Sequence, residues 1–183
     1  ADFDLSKCSN GNCDRRRDYL VAVTDLLISD LEEMTNNWKV GGDARIALLE
    51  QTPEEGLSTI LTGMGSLAYG ELGGERTKLG LMLHDPEEEH DWFSDNTHWS
   101  HYYDAVGISN VYTGSYARVD GILMTGPSRS DLVAKKDAKA DRDLLKHIDA
   151  SIAKMQVIVD TAQSWEAYDQ MLGQGNTNGN AKI

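Results

Sequence analysis

Between Glu87 and His98 the chain sets carboxylates at Glu87, Glu88, Glu89, Asp91 and Asp95, imidazoles at His90 and His98, and hydroxyls at Ser94 and Thr97. Carboxylates this close repel one another unless a positive group sits nearby, whether a metal ion, an arginine or a protonated histidine. Such a segment can ligate a cation or move protons. The competing reading is a solvated acidic loop, the usual fate of a charge run. If residues 94–106 are helical, Asp95, His98, His101 and Asp104 stand three apart on one drifting stripe, so His98 and His101 could share a cation. Of the two, His98 is the stronger candidate. Asp95 can fix its tautomer while Glu71 or Glu75 approaches from a neighbouring helix. For His101 a simple hydrogen bond to a carboxylate is the expectation.

Glu71 and Glu75 enter because of where they fall in a helix. Thr52-Pro53-Glu54-Glu55 is a start signal: Thr52 caps, Pro53 takes the first helical position and Glu55 completes a capping box. The helix it opens should run to about Leu83. Projected at about 100° per residue, its apolar stripe from Leu57 to Met82 also contains Glu71, Glu75 and Lys78. Carboxylates aimed at a core need a counter-charge, a proton or a metal. An internal Glu71–Glu75–Lys78 cluster is the alternative. Gly63, Gly65, Gly70, Gly73, Gly74 and Gly80 burden the same helix, which points to close approach of a neighbour or a ligand. His84-Asp85-Pro86-Glu87 spells H-x-x-E, but Pro86 breaks the helix that would align the two side chains, so the match is coincidental.

The remaining elements position this material. Leu20, Val23, Leu27, Leu31, Met34 and Trp38 recur at helical spacing between Asp14 and about Lys39, and Gly41-Gly42 ends that helix. Ser94 or Asp95 caps a shorter helix that Gly107 stops near Val106. Gly107 to Pro127 reads as an irregular excursion. Ser128 or Ser130 opens a short helix, and Asp137 to about Ala162 is a long one with Leu145, Ile148, Ile152, Met155 and Val159 inward. Residues 173–183 read as a loop or tail. No alternating strand pattern competes, so the fold class is all-α, a helical bundle. Trp92, Trp99, Tyr102, Tyr103, Tyr112 and Tyr116 gather around the acidic segment and read as its packing.

A chain of 183 residues with 40% hydrophobic content suffices for one ordinary domain. The net charge of −13 argues against nucleic acid as a partner and suits cationic ligands or metals. No apolar run is long enough to span a membrane, and no phosphate loop, nucleophile elbow or H-E-x-x-H motif is present. Cys8 and Cys13 flank a turn-rich Ser9-Asn10-Gly11-Asn12; a disulfide there implies an oxidising compartment, and two idle thiols are the alternative. The chain opens on Ala1, which suggests processing or a longer parent.

Together, Arg15-Arg16 with Tyr19-Leu20, Gly70-Glu71-Leu72 through Glu75-Arg76, Glu87-Glu88-Glu89-His90 and Phe93-Ser94-Asp95-Asn96-Thr97-His98 resemble the carboxy-terminal half of the imelysin family. Gly107-Ile108, Asn110-Val111-Tyr112, Gly114 and Tyr116 continue the likeness, which covers most of the chain. The cysteine pair ahead of Arg15 is most similar to the iron-regulated protein A branch. The resemblance implies an all-α protein of two bundle-like halves, exported to the periplasm or outer membrane, with a site in the cleft between them. It makes residues 1–183 the carboxy-terminal half, with a disulfide-closed leading loop at 1–13, and the amino-terminal half a partner beside components of iron uptake. The family's G-x-H-x-x-E motif, proposed to bind metal, is absent from this sequence. Residue by residue, the resemblance implies Glu71, Glu89 and His98 as catalytic candidates and Glu75, Arg76, His90, Ser94, Asp95 and Thr97 as cleft residues. His98 and Glu71 are the candidate ligands for iron or zinc. The function expected is metal or metal-ligand binding in iron acquisition; the alternatives are a metal-dependent peptidase and a structural or partner-binding bundle.

Overall fold

The computed structural model describes residues 3–183. The chain divides into two compact units, Ala1–Thr59 and Ile60–Ile183. It is all-α apart from one small two-stranded ribbon.

In the first unit Cys8 and Cys13 are joined in a disulfide, and the buried Cys13 begins helix α1, Cys13–Trp38. The cross-link closes the loop whose tight reversal needs positive φ at Gly11 and Asn12. Helix α1 matches the sequence expectation in extent, yet Leu20, Val23, Leu27, Leu31, Met34 and Trp38 all remain exposed. Its periodic face is a packing surface that the described residues leave uncovered. Past Gly41, at φ 83°, the chain turns so tightly that a Cβ on Gly42 would strike the carbonyls of Asn36 and Asn37. A short helix α2, Asp43–Leu49, follows that sequence reading did not anticipate. The capping box forms as expected: the Thr52 backbone N–H donates to Glu55 at 3.0 Å, and the Glu55 N–H donates to Thr52 Oγ1 at 3.3 Å. It opens helix α3, Pro53–Gly65.

The helical run continues to Leu83, but its middle is not an α-helix. Ser66–Leu79 is a π-helix, and only the last turn, α4, Gly80–Leu83, returns to α geometry. The five-residue register is visible in the side chains: Thr77 Oγ1 donates to the Leu72 carbonyl at 2.6 Å, and Arg76 pairs with Glu71. A Cβ on Gly73 or Gly74 would lie 3.1 Å from the carbonyl five residues back, so glycine relieves the wider turn at these two positions. The angular step assumed for an α-helix does not apply there, and Glu71, Glu75 and Lys78 are exposed, not directed at a core.

Helix α5, Thr97–Thr113, begins at Asn96 and passes through Gly107 to stop at Gly114. Gly107 does not end it because Ala105, half-buried Ile108 and buried Tyr112 carry the packing face onward. Gly114 does end it, at φ 64°, and a Cβ there would come within 2.8 Å of the Pro127 carbonyl. Gly114→Ala is therefore expected to cost about 1–3 kcal/mol, read as a lower urea midpoint at unchanged slope.

The excursion after Gly114 is a hairpin of β1, Ser115–Ala117, and β2, Leu123–Thr125, paired antiparallel with Tyr116 opposite Met124. Helix α6, Arg129–Lys136, is capped by Ser128, whose Oγ accepts from the Asp131 N–H at 2.9 Å. Helix α7, Ala138–Ser164, is capped by Asp137, which accepts from the N–H groups of Lys139 and Ala140. Helix α5 packs along α7, and α6 packs on both. A buried knot holds the three: Tyr112 Oη on α5 donates to Asp141 Oδ1 at 2.8 Å, and Ser130 Oγ on α6 donates to the same oxygen at 2.7 Å.

The tail is packed, not loose. Helix α8, Tyr168–Leu172, meets α7 in a buried cluster of Ile158, Tyr168, Met171 and Leu172, and helix α9, Thr177–Asn180, packs on α8. Asn180 donates to the Met171 carbonyl at 2.6 Å, and Asn176 donates to Glu166 at 2.9 Å. Gly179 lies so near Met171 Cα that a Cβ would sit 2.7 Å away. Residues of low helical propensity conceal this order from a compositional reading.

Candidate functional site

The acidic segment resolves into an exposed part and a buried part. Glu87 and Glu88 lie exposed on a short 3-10 turn whose cap is Asp85, accepting from the Glu87 N–H at 3.0 Å. Ser94 and Asp95 are exposed too, and Asp95 adopts φ 52° outside α5. Glu89 is buried. Thr97 Oγ1 donates to its Oε2 at 2.8 Å while accepting from the Asp91 N–H at 2.9 Å, and Asp91 in turn accepts from the Ser100 hydroxyl. Among the described residues no arginine or lysine forms an ion pair with Glu87, Glu88, Glu89, Asp91 or Asp95. Exposure, hydroxyls and backbone N–H groups answer the repulsion instead.

The helical spacing of His98 and His101 on α5 turns both rings inward. His98 Nε2 meets the side-chain amide nitrogen of Gln163 on α7 at 2.8 Å. Gln163 stands where Glu71 or Glu75 was expected, and it is the Asp95 backbone, not a hydrogen bond from its carboxylate, that lies against the ring. His101 makes no hydrogen bond to a carboxylate; its ring stands edge-on to Tyr168 with centroids 5.2 Å apart and lies 6.4 Å from the ring of His90. Among the described residues, Glu89 Oε1 and both ring nitrogens of His101 are buried without a hydrogen-bond partner, while His98 Nδ1 and Tyr168 Oη make no well-formed bond although the Asp95 backbone and the Thr77 hydroxyl lie beside them. Natural interiors leave few such atoms, because each unmade bond costs about 1–3 kcal/mol.

Burial governs how these groups ionise. It pushes Glu89 above the ordinary carboxylate value, with Thr97 opposing and the carboxylates of Asp169, Asp95 and Asp91 reinforcing. It lowers His98 against the pull of Asp95 and Asp91. His101 falls to about 4, through burial first and then the neighbouring His90 and Arg76. Tyr168 is raised by burial first, with the Thr77 hydroxyl opposing and Glu89 reinforcing. Every one of these shifts disfavours charge, burial being the first cause in each.

Glu71 stands apart from it, exposed and 3.5 Å from Arg76. Arg76 pairs with Glu71 and not with Glu89. His84 is not half of a ligand pair with Glu87: its Nδ1–H donates to the Leu172 carbonyl at 3.0 Å. No group of three His, Cys, Asp or Glu side chains among the described residues is placed to hold a metal ion, so His98 and His101 do not form one with their neighbours. Imidazole and carboxylate are suitable donors for iron or zinc, but their number and convergence here do not complete a site for a bare ion.

Beside the buried set, His90, Asn96, Trp99, Ser100, Tyr103 and Asp104 line an open groove of about 560 Å³. Gln163, Tyr168 and Asp104 are the participants that sequence reasoning passed over as site residues. Gln163 and Tyr168 are remote along the chain from the acidic segment and carry no local signal. Asp104 was visible only as one member of a histidine stripe.

An all-α fold with a buried histidine–carboxylate set beneath an acidic surface is the class these observations define. The family model for imelysin, Peptidase_M75, matches residues 2–183. The chain belongs to the imelysin family. Comparison with curated proteins finds no match.

Proposed function

We propose that this chain is an exported imelysin-like protein of iron acquisition, and that it binds a metal-bearing ligand through Glu89, His98 and His101. The observation that carries this reading is that Glu89 Oε1 and both ring nitrogens of His101 are buried without partners beside the buried His98. Buried imidazole and carboxylate atoms without partners are costly unless something else engages them. Their number suits a ligand that brings donors of its own, or a site that the amino-terminal half completes. The uncovered apolar face of α1 supports such a packing partner. Export to the periplasm or outer membrane is supported by the Cys8–Cys13 disulfide. No helix among the described residues is long and apolar enough to cross a membrane.

Loss of iron or zinc from the protein isolated from its native source tests the reading. Glu89→Gln and His98→Ala should each lower bound metal about tenfold or more, with the helical circular dichroism unchanged. Full retention in both variants contradicts it. In the peptidase alternative Glu89 is the base and His98 the oxyanion donor, and the same substitutions would abolish cleavage of an unfolded protein substrate.

A further inference from the structure

We infer that the groove lined by His90, Asn96, Trp99, Ser100, Tyr103 and Asp104 is a binding site for an organic cation, an alkylammonium or guanidinium head group. Trp99 and Tyr103, one turn apart on α5, lie nearly parallel, with centroids 5.7 Å apart and planes 24° apart. Tyr102 stands edge-on to both, at 5.7 Å from Trp99 and 5.2 Å from Tyr103, and braces them. Such faces attract cations through the ring quadrupole. Asp104 supplies a carboxylate in the same wall, half-buried. Asp91 stands one hydrogen bond behind Ser100. The Asn96 side chain makes no capping bond to α5 and is available as a further acceptor.

The charge balance decides the sign of the ligand. Asp104 feels His90 and Arg76 as positive neighbours and Asp91 and Glu71 as negative ones, and Arg76 is already paired with Glu71. Glu71 and Arg76 offset each other, which leaves Asp104 and Asp91 against His90 and the α5 N-terminus, whose dipole is worth about half a positive charge. The net charge of −13 adds long-range attraction of the same sign. A hydrated divalent ion gains nothing from aromatic walls and finds one carboxylate in the lining, so the groove fits an organic head group and not a metal. This inference is independent of the metal-ligand reading, because it uses neither Glu89 nor His98.

Trp fluorescence and calorimetric titration of the full chain, stripped of metal with EDTA, test it with n-butylammonium, spermidine and the peptide acetyl-Gly-Lys-Gly-amide. Saturable binding is expected, weakening with salt and falling about tenfold in Asp104→Asn and in the exposed-site variant Tyr103→Leu. Preference for the peptide identifies a protein side chain as the source of the cation, and preference for the amines a free polyamine. Binding of methyl glucoside in place of the cations overturns the inference, as does no response to any amine or equal affinity in both variants. Because the protein is metal-free throughout, loss of metal in the earlier experiment neither causes nor masks these outcomes.

Discussion

Acidification from neutrality to about pH 4 is expected to remove about 3 kcal/mol of folding stability through His101 alone, and His101→Phe to abolish most of that loss. His101 is fully buried, and its value drops from 6.5 unfolded to about 4 folded. A histidine with a depressed folded value is neutral in both states above 6.5, so its contribution is intact there. Below 6.5 the unfolded chain takes up a proton that the folded chain refuses, and stability falls until the folded value is reached. His98, also lowered, adds loss of the same sign. Glu89 and Asp104 work in reverse: both are raised by burial, so their contribution is greatest at low pH and is lost as the pH rises through their folded values. They offset part of the loss at the acid end. Urea midpoints of the native protein and His101→Phe across this range decide the matter. Parallel curves would mean that His101 is not the acid-sensitive group.

Asp141→Ala carries the second large effect, a loss of about 2–4 kcal/mol. One carboxylate oxygen receives both the Tyr112 and the Ser130 hydroxyls, and Tyr112 and Asp141 are buried. Removing it strands two donors where α5, α6 and α7 meet. Tyr112 is pushed up to about 12, by burial first and then by the Asp141 hydrogen bond and charge. Tyr112→Phe should cost less, about 1–2 kcal/mol, because Ser130 still donates to the carboxylate. A double-mutant cycle between Tyr112→Phe and Asp141→Ala should show a coupling of about 1 kcal/mol or more. Additive losses would mean that the hydrogen bond does not couple the helices.

The extents of α1 and α7 were legible because their apolar residues recur with unbroken helical spacing. The capping box at Thr52 and Glu55 was legible as a local sequence signal. Ser66–Leu79 was not. Its glycines announced a burden without saying that the helix would widen, and the α projection then turned Glu71 and Glu75 inward when they are exposed. Gly107 and Gly114 look alike as letters. Only the second sits at positive φ against a backbone carbonyl, so only the second stops α5. In the site, the shared stripe of His98 and His101 followed from their spacing, whereas the partner Gln163 comes from another helix and left no trace near the acidic segment. The exposed Ser94 and Asp95 belong to the same short string as buried Thr97, which shows how sharply burial changes over one turn.

Binding of a metal-bearing ligand at the buried set is decided by native mass spectrometry with elemental analysis, on protein isolated under non-denaturing conditions from its native source. The expected result is an adduct to the 20.2 kDa chain, or to its complex with a second polypeptide, that contains iron or zinc and disappears in His98→Ala. A metal-free chain at its bare mass, with His98→Ala and Glu89→Gln differing from it only in stability, would make the buried set a structural feature and overturn the proposed function.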